Sequence, residues 1–211
     1  MQVVELTRAG DGANRSLLRD MHRLRRKVFK DRLDWSVSTR GDFEKDRYDT
    51  QDATYLVVVD RGTVLGCVRL LPTTAPNMLA ETFPELLDGA NAPRSDSIVE
   101  SSRFCVDTGS TAATTEGGLR QATFMLLAAM LEWSTARGLK SIATVTDLRM
   151  ERILRRAGWR LRRIGGPRRI GSTAAVAGLL PIEDDALDAI RRNGGLSGPV
   201  LPLKMALPFA A

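Results

Sequence analysis

The chain has 211 residues, 43% hydrophobic and 27% charged, the composition of a folded domain with a real core rather than of a disordered chain. No apolar run approaches the ~18–20 residues of a membrane helix, and Met1 to Asp11 lacks the apolar centre of a signal peptide, so a cytoplasmic protein without a membrane partner is expected. The formal net charge of +6 asks for an acidic or phosphate-bearing partner. The single histidine, His22, has no Cys or His at ligand spacing, which excludes a zinc site and argues against a Ser-His-Asp triad. Cys67 and Cys105 sit in apolar runs and read as buried, reduced thiols.

Val3 to Leu6 is a first short strand. Asn14 or Ser16 can cap a helix reaching about Lys30, with Leu17, Leu18, Met21, Leu24, Val28 and Phe29 on its apolar face. Asp31 to Asp52 is a long polar loop with Trp35, Phe43 and Tyr48 as isolated aromatics. Thr54 to Val59 and Thr63 to Leu71, joined by Asp60-Arg61-Gly62, predict a hairpin that Pro72 ends. Met78 to Leu87 suggests short helical turns, and Ser97 to Val106 another strand. Gly117 to Arg137 is a helix apolar on nearly all sides, and therefore buried. Ser141 to Val145 is a strand, Asp147 caps a helix to Ala157, and Gly158 stops it. Strands at Trp159 to Ile164, Thr173 to Leu180 and Val200 to Ala206, and a helix at Glu183 to Arg192, complete the order. The pattern predicts one domain over residues 1–211, a three-layer α/β/α sandwich around a central mixed sheet. GNAT-like acyltransferases have this order, and their active site lies where two adjacent parallel strands splay apart.

One series of residues carries more than fold. Leu24-Arg25-Arg26-Lys27-Val28-Phe29 is followed by Arg32-Leu33-Asp34-Trp35, then Glu44-Lys45-Asp46-Arg47-Tyr48-Asp49. Arg69 lies in the second hairpin strand, and Glu100-Ser101-Ser102-Arg103-Phe104 in the next strand. In this order the series resembles the LuxI-type acyl-homoserine lactone synthases, motif by motif through the first half of the chain. The likeness is looser through Ile153 to Trp159. One departure is an extra residue between Gly41 and Glu44.

The resemblance implies an acyltransferase of quorum sensing that makes an autoinducer. It acylates the amine of S-adenosylmethionine from a fatty-acyl thioester, then closes the lactone and releases methylthioadenosine. S-adenosylmethionine is then a substrate, and neither cofactor nor metal is expected. The substrate is a cation with an ammonium, a carboxylate and an adenine, so its site needs aromatic faces, carboxylates and arginines. The resemblance assigns Phe29, Trp35, Arg25, Asp46, Arg103 and Phe104 to that substrate. It assigns Glu100, Arg69, Arg103, Asp46, Asp49 and Arg25 to the catalytic cluster, with Glu100 either the base or a charge partner.

Ser102, Phe124, Met125, Met130 and Thr144 are candidates for the acyl pocket; the resemblance places at Thr144 a threonine whose hydroxyl suits a 3-oxo group. The resemblance implies that the donor is acyl carrier protein or acyl-coenzyme A. Nine arginines and a single acid, Glu151, fall between Arg149 and Arg169; Arg149, Arg152 and Arg156 repeat at i, i+3 and i+7 on one helix face beside Arg155, a docking patch for an acidic carrier. A monomer is expected.

Two other readings compete. A GNAT-type N-acyltransferase acting on a different amine would carry a glycine-rich pyrophosphate turn, and no good copy stands between Val106 and Gly117. A nucleic-acid binder would account for the charge, but interleaved exposed aromatics and a DNA-binding motif are lacking.

Overall fold

The computed structural model describes residues 1–7, 14–50, 52–109 and 118–202. Strand β1 (Gln2–Thr7) leads to helix α1 (Arg15–Arg26), which widens without a break into a π-helical turn, Lys27–Arg32. Two-residue strands β2 (Thr39–Arg40) and β3 (Phe43–Glu44) pair within the region expected to be loop. The predicted hairpin is β4 (Thr54–Asp60) and β5 (Thr63–Pro72). Helix α2 (Met78–Glu81) and a 3-10 turn, Pro84–Leu87, precede β6 (Ile98–Val106). Then follow α3 (Gln121–Thr135), β7 (Ser141–Asp147), α4 (Leu148–Ala157), β8 (Arg162–Arg163), β9 (Arg168–Ile170), β10 (Thr173–Pro181) and α5 (Asp184–Gly194).

Among the described residues, eight strands form one sheet in the order β1-β4-β5-β6-β7-β10-β8, with β9 also on β10. Only the β6–β7 pair is parallel among these. α1 and its π-helical turn pack on one face through Met21, Leu24, Val28 and Phe29, with α2 and the 3-10 turn beside them over β7 and β10. α3, α4 and α5 cover the other face, where α3 contributes Leu126, Leu127 and Met130. The architecture is the expected α/β sandwich. α3 is apolar all round because it lies between the sheet and α5, so both of its sides are dry.

Two irregularities of β6 shape the molecule. β6 and β7 pair only from Ile98/Ser141 to Ser101/Thr144, although both strands run on, β6 against β5 and β7 against β10. They therefore part beyond Ser101 and Thr144, leaving a split in the middle of the sheet. Second, Cys67 faces Cys105 and Arg69 faces Ser102, so Arg103 and Phe104 together oppose Val68 alone. This is a β-bulge, and Arg103 adopts a left-handed conformation, φ +55°, to make it.

Several boundaries differ from expectation. Asn14 stands at the α1 N-cap position without a side-chain cap bond, whereas Asp147 Oδ1 does accept from Met150 N at 2.6 Å. The strand expected at Trp159 to Ile164 shrinks to Arg162–Arg163, because Trp159 turns inward and donates Nε1 to the Pro181 carbonyl at 2.8 Å. Val200 and Leu201 are not in a strand; their N–H groups bond the Glu132 carboxylate. The rest of the strand expected to Ala206 lies outside the described residues. Among those residues, no helix is long and apolar enough to cross a membrane.

Candidate active site

The α1 face of β5 and β6 carries a closed ring of six charged side chains, three arginines and three carboxylates. Arg25 reaches it from α1, Glu44 from β3, Asp46 and Asp49 from the loop after β3, Arg69 from β5 and Arg103 from the bulge of β6. Arg25 grips Asp49 with both terminal nitrogens, at 2.7 and 3.0 Å, and turns Nε and Nη2 to Glu44. Arg69 grips Asp46 at 2.6 and 3.1 Å and touches Asp49 at 3.0 Å. Arg103 closes the ring, with Nε on Glu44 at 3.0 Å and Nη2 on Asp46 at 2.7 Å. Three positive and three negative charges cancel, and each of the six groups has two partners, the condition for keeping so much charge out of water.

The electrostatics follow from this pairing. Burial alone would raise the Asp49 carboxyl, but the hydrogen bond and charge of Arg25, with Arg69 behind it, hold it far below the usual carboxylate range. Asp46 is lowered in the same way by Arg69 and Arg103, against its burial. Burial pushes the Glu100 carboxyl upward, opposed by backbone N–H groups of Leu79 and Met78. Tyr55 donates its hydroxyl to Asp49 at 2.8 Å, and burial beside that carboxylate raises its pKa.

The ring opens to solvent at one corner. Arg25, Arg69, Glu44 and Asp49 side chains are sealed, whereas Arg103 and Asp46 keep 11% and 12% of theirs exposed. At that corner Phe29 stacks on Trp35, centroids 5.3 Å apart and planes 24° apart, and the Arg103 guanidinium lies 5.6 Å over the Phe29 ring. The π-helical turn makes this possible, since it lets Trp35 N bond the Phe29 carbonyl at 2.8 Å and brings the two rings together.

The structure brings Arg25, Phe29, Trp35, Asp46, Asp49, Arg69, Glu100 and Arg103 into one region. Four expected residues stand elsewhere or differently. Phe104, expected at the S-adenosylmethionine site, packs on the α3 face of the sheet, opposite the ring, because the bulge sends only Arg103 toward α1. Ser102, expected in the acyl pocket, accepts from Arg69 Nε at 3.1 Å and belongs to the charged cluster. Phe124, expected in the same pocket, packs against the backbone of Gly194, where even a Cβ would stand 2.5 Å from its own. Thr144, the candidate donor to a 3-oxo group, is buried with its hydroxyl on the Ser101 carbonyl at 3.2 Å. Met125 and Met130 are buried in the α3 core cluster.

Sequence reading gave no role to Glu44, Tyr55 or Met78. Glu44 stood in the quoted run without an assigned partner. Tyr55 is cross-strand to Arg69, a pairing the hairpin register could have supplied. Met78 Sδ lies 3.2 Å from Arg69 Nη2 and 3.3 Å from Arg103 Nη1, and no sequence signal marks that contact.

Arg149, Arg152, Arg155 and Arg156 are all exposed on α4. Glu151 is taken by Arg163 through two 2.6 Å hydrogen bonds, Arg162 by Glu183, and Arg168 by Asp88. Among the described residues no group of three or more His, Cys, Asp or Glu is arranged to hold a metal ion.

Comparison with known proteins gives this arrangement its context. The family model of the autoinducer synthases matches residues 11–190, from before α1 to within α5 and across the whole ring. The chain belongs to the autoinducer synthase family. It is 47% identical over 186 residues to an acyl-homoserine-lactone synthase of Agrobacterium fabrum (strain C58), covering 88% of each chain. The crystal structure of the AHL synthase LasI superposes with a TM-score of 0.80 at 34% identity, over 90% of this chain and 94% of that one. TofI, solved in a ternary complex with an inhibitor and MTA, gives 0.75 at 32% identity, over 93% and 100%. This autoinducer synthase is an acyltransferase, and its activity is acyl-homoserine lactone synthesis. Acylation of some other amine on the same fold is not favoured, since the match takes in the charged ring as well as the sheet.

Proposed function

We propose that this synthase joins a fatty-acyl thioester to S-adenosylmethionine and closes the product to a lactone, with the open corner of the charged ring as the seat of the amino acid. The observation that carries the reading is the pairing of Asp46 and Arg103 beside the Phe29–Trp35 stack. A carboxylate suits the ammonium, a guanidinium suits the carboxylate, and an aromatic face suits the sulfonium. Arg25, Arg69 and Asp49, sealed behind them, hold that pair in place rather than touch substrate.

In the first step the amine nitrogen attacks the thioester carbonyl, the tetrahedral intermediate collapses, and the thiolate leaves. A free α-amino group has a pKa of roughly 7.7–8.0, so much of it must first lose a proton. Glu100 is our candidate acceptor, through one water. Its carboxyl is raised toward the amine, whereas Asp46 and Asp49 are lowered by arginine and are poor bases. Backbone N–H groups of β6 near Ser102 to Phe104, beyond the last β7 pairing, are candidates to receive the oxyanion. In the second step the substrate carboxylate attacks its own γ-carbon, and methylthioadenosine leaves as a neutral thioether. The cluster supplies orientation for that closure.

The acyl chain would enter through the split between β6 and β7 toward Met125 and Met130 on α3. The exposed arginines of α4, with their one acid neutralised by Arg163, suit an acidic acyl carrier protein, so we favour that donor over acyl-coenzyme A. The enzyme works in the cytoplasm as a monomer in this reading. Purified protein given S-adenosylmethionine with carrier-linked or coenzyme-A-linked chains should release methylthioadenosine and an acyl lactone. Failure to form either product with every donor would end the proposal.

A further inference from the structure

We propose that Met78 is a positioning residue whose thioether is the neutral, exchangeable partner of Arg103 in this synthase. Arg103 has its Nε on Glu44 and its Nη2 on Asp46, and Nη1 turns to Met78 Sδ at 3.3 Å. Arg69 Nη2 reaches the same sulfur at 3.2 Å, so one side chain joins the two strand-borne arginines. The sulfur is set by a chain of backbone restraints. Asn77 Oδ1 caps α2 at Ala80 N, 3.1 Å, while its Nδ2 ties back to the Thr73 and Ala75 carbonyls. Glu100 then takes Met78 N at 3.1 Å and Leu79 N at 2.6 Å.

The choice of atom follows from the charge balance. A carboxylate at this point would make the three-plus-three ring negative. A hydrocarbon would leave N–H donors of the buried Arg69 guanidinium and the largely buried Arg103 guanidinium facing apolar surface, which is costly. A thioether is a weak, uncharged acceptor. It holds Arg103 in line at the open corner and yields when a stronger acceptor arrives. Arg103 Nη1 is thereby the donor kept in reserve for an incoming carboxylate. The inference rests on the proposed reaction only for the identity of that carboxylate.

The test compares wild type with Met78→Leu, which fills the space without an acceptor, and Met78→Gln, which restores one. Met78→Leu should raise KM for S-adenosylmethionine by about fivefold, the scale of one weak acceptor lost from a charged donor, with KM for the acyl donor within about twofold of wild type. Met78→Gln should recover at least half of that change on a logarithmic scale. In the substrate-free enzyme, 15N NMR should find rotation of the Arg103 guanidinium faster in Met78→Leu and slowed again in Met78→Gln. Thermal unfolding of each variant identifies any that does not fold, and the guanidinium measurement is then read on Met78→Ile instead. Equal kinetics in all three proteins, or equal impairment of the Leu and Gln variants, would overturn the role of the sulfur. If wild type turns over no S-adenosylmethionine, the proposed reaction fails by itself, and the guanidinium rotation still decides the contact.

Discussion

Arg69 meets Asp46 fork to fork, two parallel hydrogen bonds of 2.6 and 3.1 Å, with the arginine sealed and the aspartate at the rim. The pair couples the interior of the ring to the corner where substrate would bind. Removing Arg69 strips Asp46 of its clamp and Asp49 of one of its two guanidinium partners.

Arg69→Ala should therefore lose both activity and stability. Breaking a buried pair from one side costs about 3–5 kcal/mol, and urea titration of the variant should show a loss of that order. Arg69→Lys keeps the charge but not the fork, so turnover should stay far below wild type while stability partly returns. Unchanged unfolding in Arg69→Ala would mean the ring is not the structural unit described.

Acid should weaken the fold in two stages. His22 Nδ1 donates to the Glu44 carbonyl at 2.8 Å, and burial, with Arg25 adding, lowers its pKa from 6.5 to about 4. A group lowered in the folded state contributes stability fully above its unfolded pKa and loses it as pH falls to the folded one. His22 thus gives a loss between pH 6.5 and about 4. Asp46 and Asp49, also lowered, add theirs only below the usual carboxylate range. Glu100, raised by burial, has the opposite sign: its contribution declines as pH rises from its unfolded pKa to its folded one. His22 is the only histidine, so His22→Asn should flatten the upper stage and leave the lower one. Equilibrium unfolding measured from pH 7.5 down to about 2 reads the upper stage and the onset of the lower.

Glu100→Gln should reduce turnover by a hundredfold or more, on the order expected of a lost general base, and remove the acidic limb of the pH–rate profile. The amide offers one oxygen where the carboxylate offers two to Met78 N and Leu79 N, so α2 should also loosen. A variant that is slower with an unaltered pH profile would assign Glu100 to holding α2 alone.

Charge reversal at Arg152 and Arg156 together should raise KM for a carrier-linked donor about tenfold or more and leave KM for S-adenosylmethionine unchanged. The effect should shrink as salt rises, because exposed charges are screened beyond about 10 Å at 0.1 M. Equal effects on carrier-linked and coenzyme-A-linked donors would remove the docking role.

The hairpin β4–β5, the buried α3 and the capped α4 were legible in the sequence, since β-branched runs, an all-apolar stretch and Asp147 with Gly158 each act within a few residues of themselves. Five of the six members of the ring, all but Glu44, were legible by order and residue type. Their partners were not, because the pairing of Arg103 with Glu44 and Asp46 depends on a bulge that only the β5–β6 register reveals. The same bulge sends Phe104 to the other face and defeats a reading that treats neighbours as companions. Trp159 misled in a related way: an apolar start suggested a strand, yet its indole turns into the core and the strand is only two residues long.

The extra residue in β6 also sets a limit on how this gene can vary. Deleting either Arg103 or Phe104 would let Cys105 and Ser102 fall into even register with β5, a smoother and more regular ladder. Such a protein would have no side chain to shut the ring at its open corner, and Glu44 and Asp46 would each lose a guanidinium partner. In this strand, then, a one-codon deletion should be more damaging to signal output than most substitutions, because it unpairs two carboxylates of the ring at once.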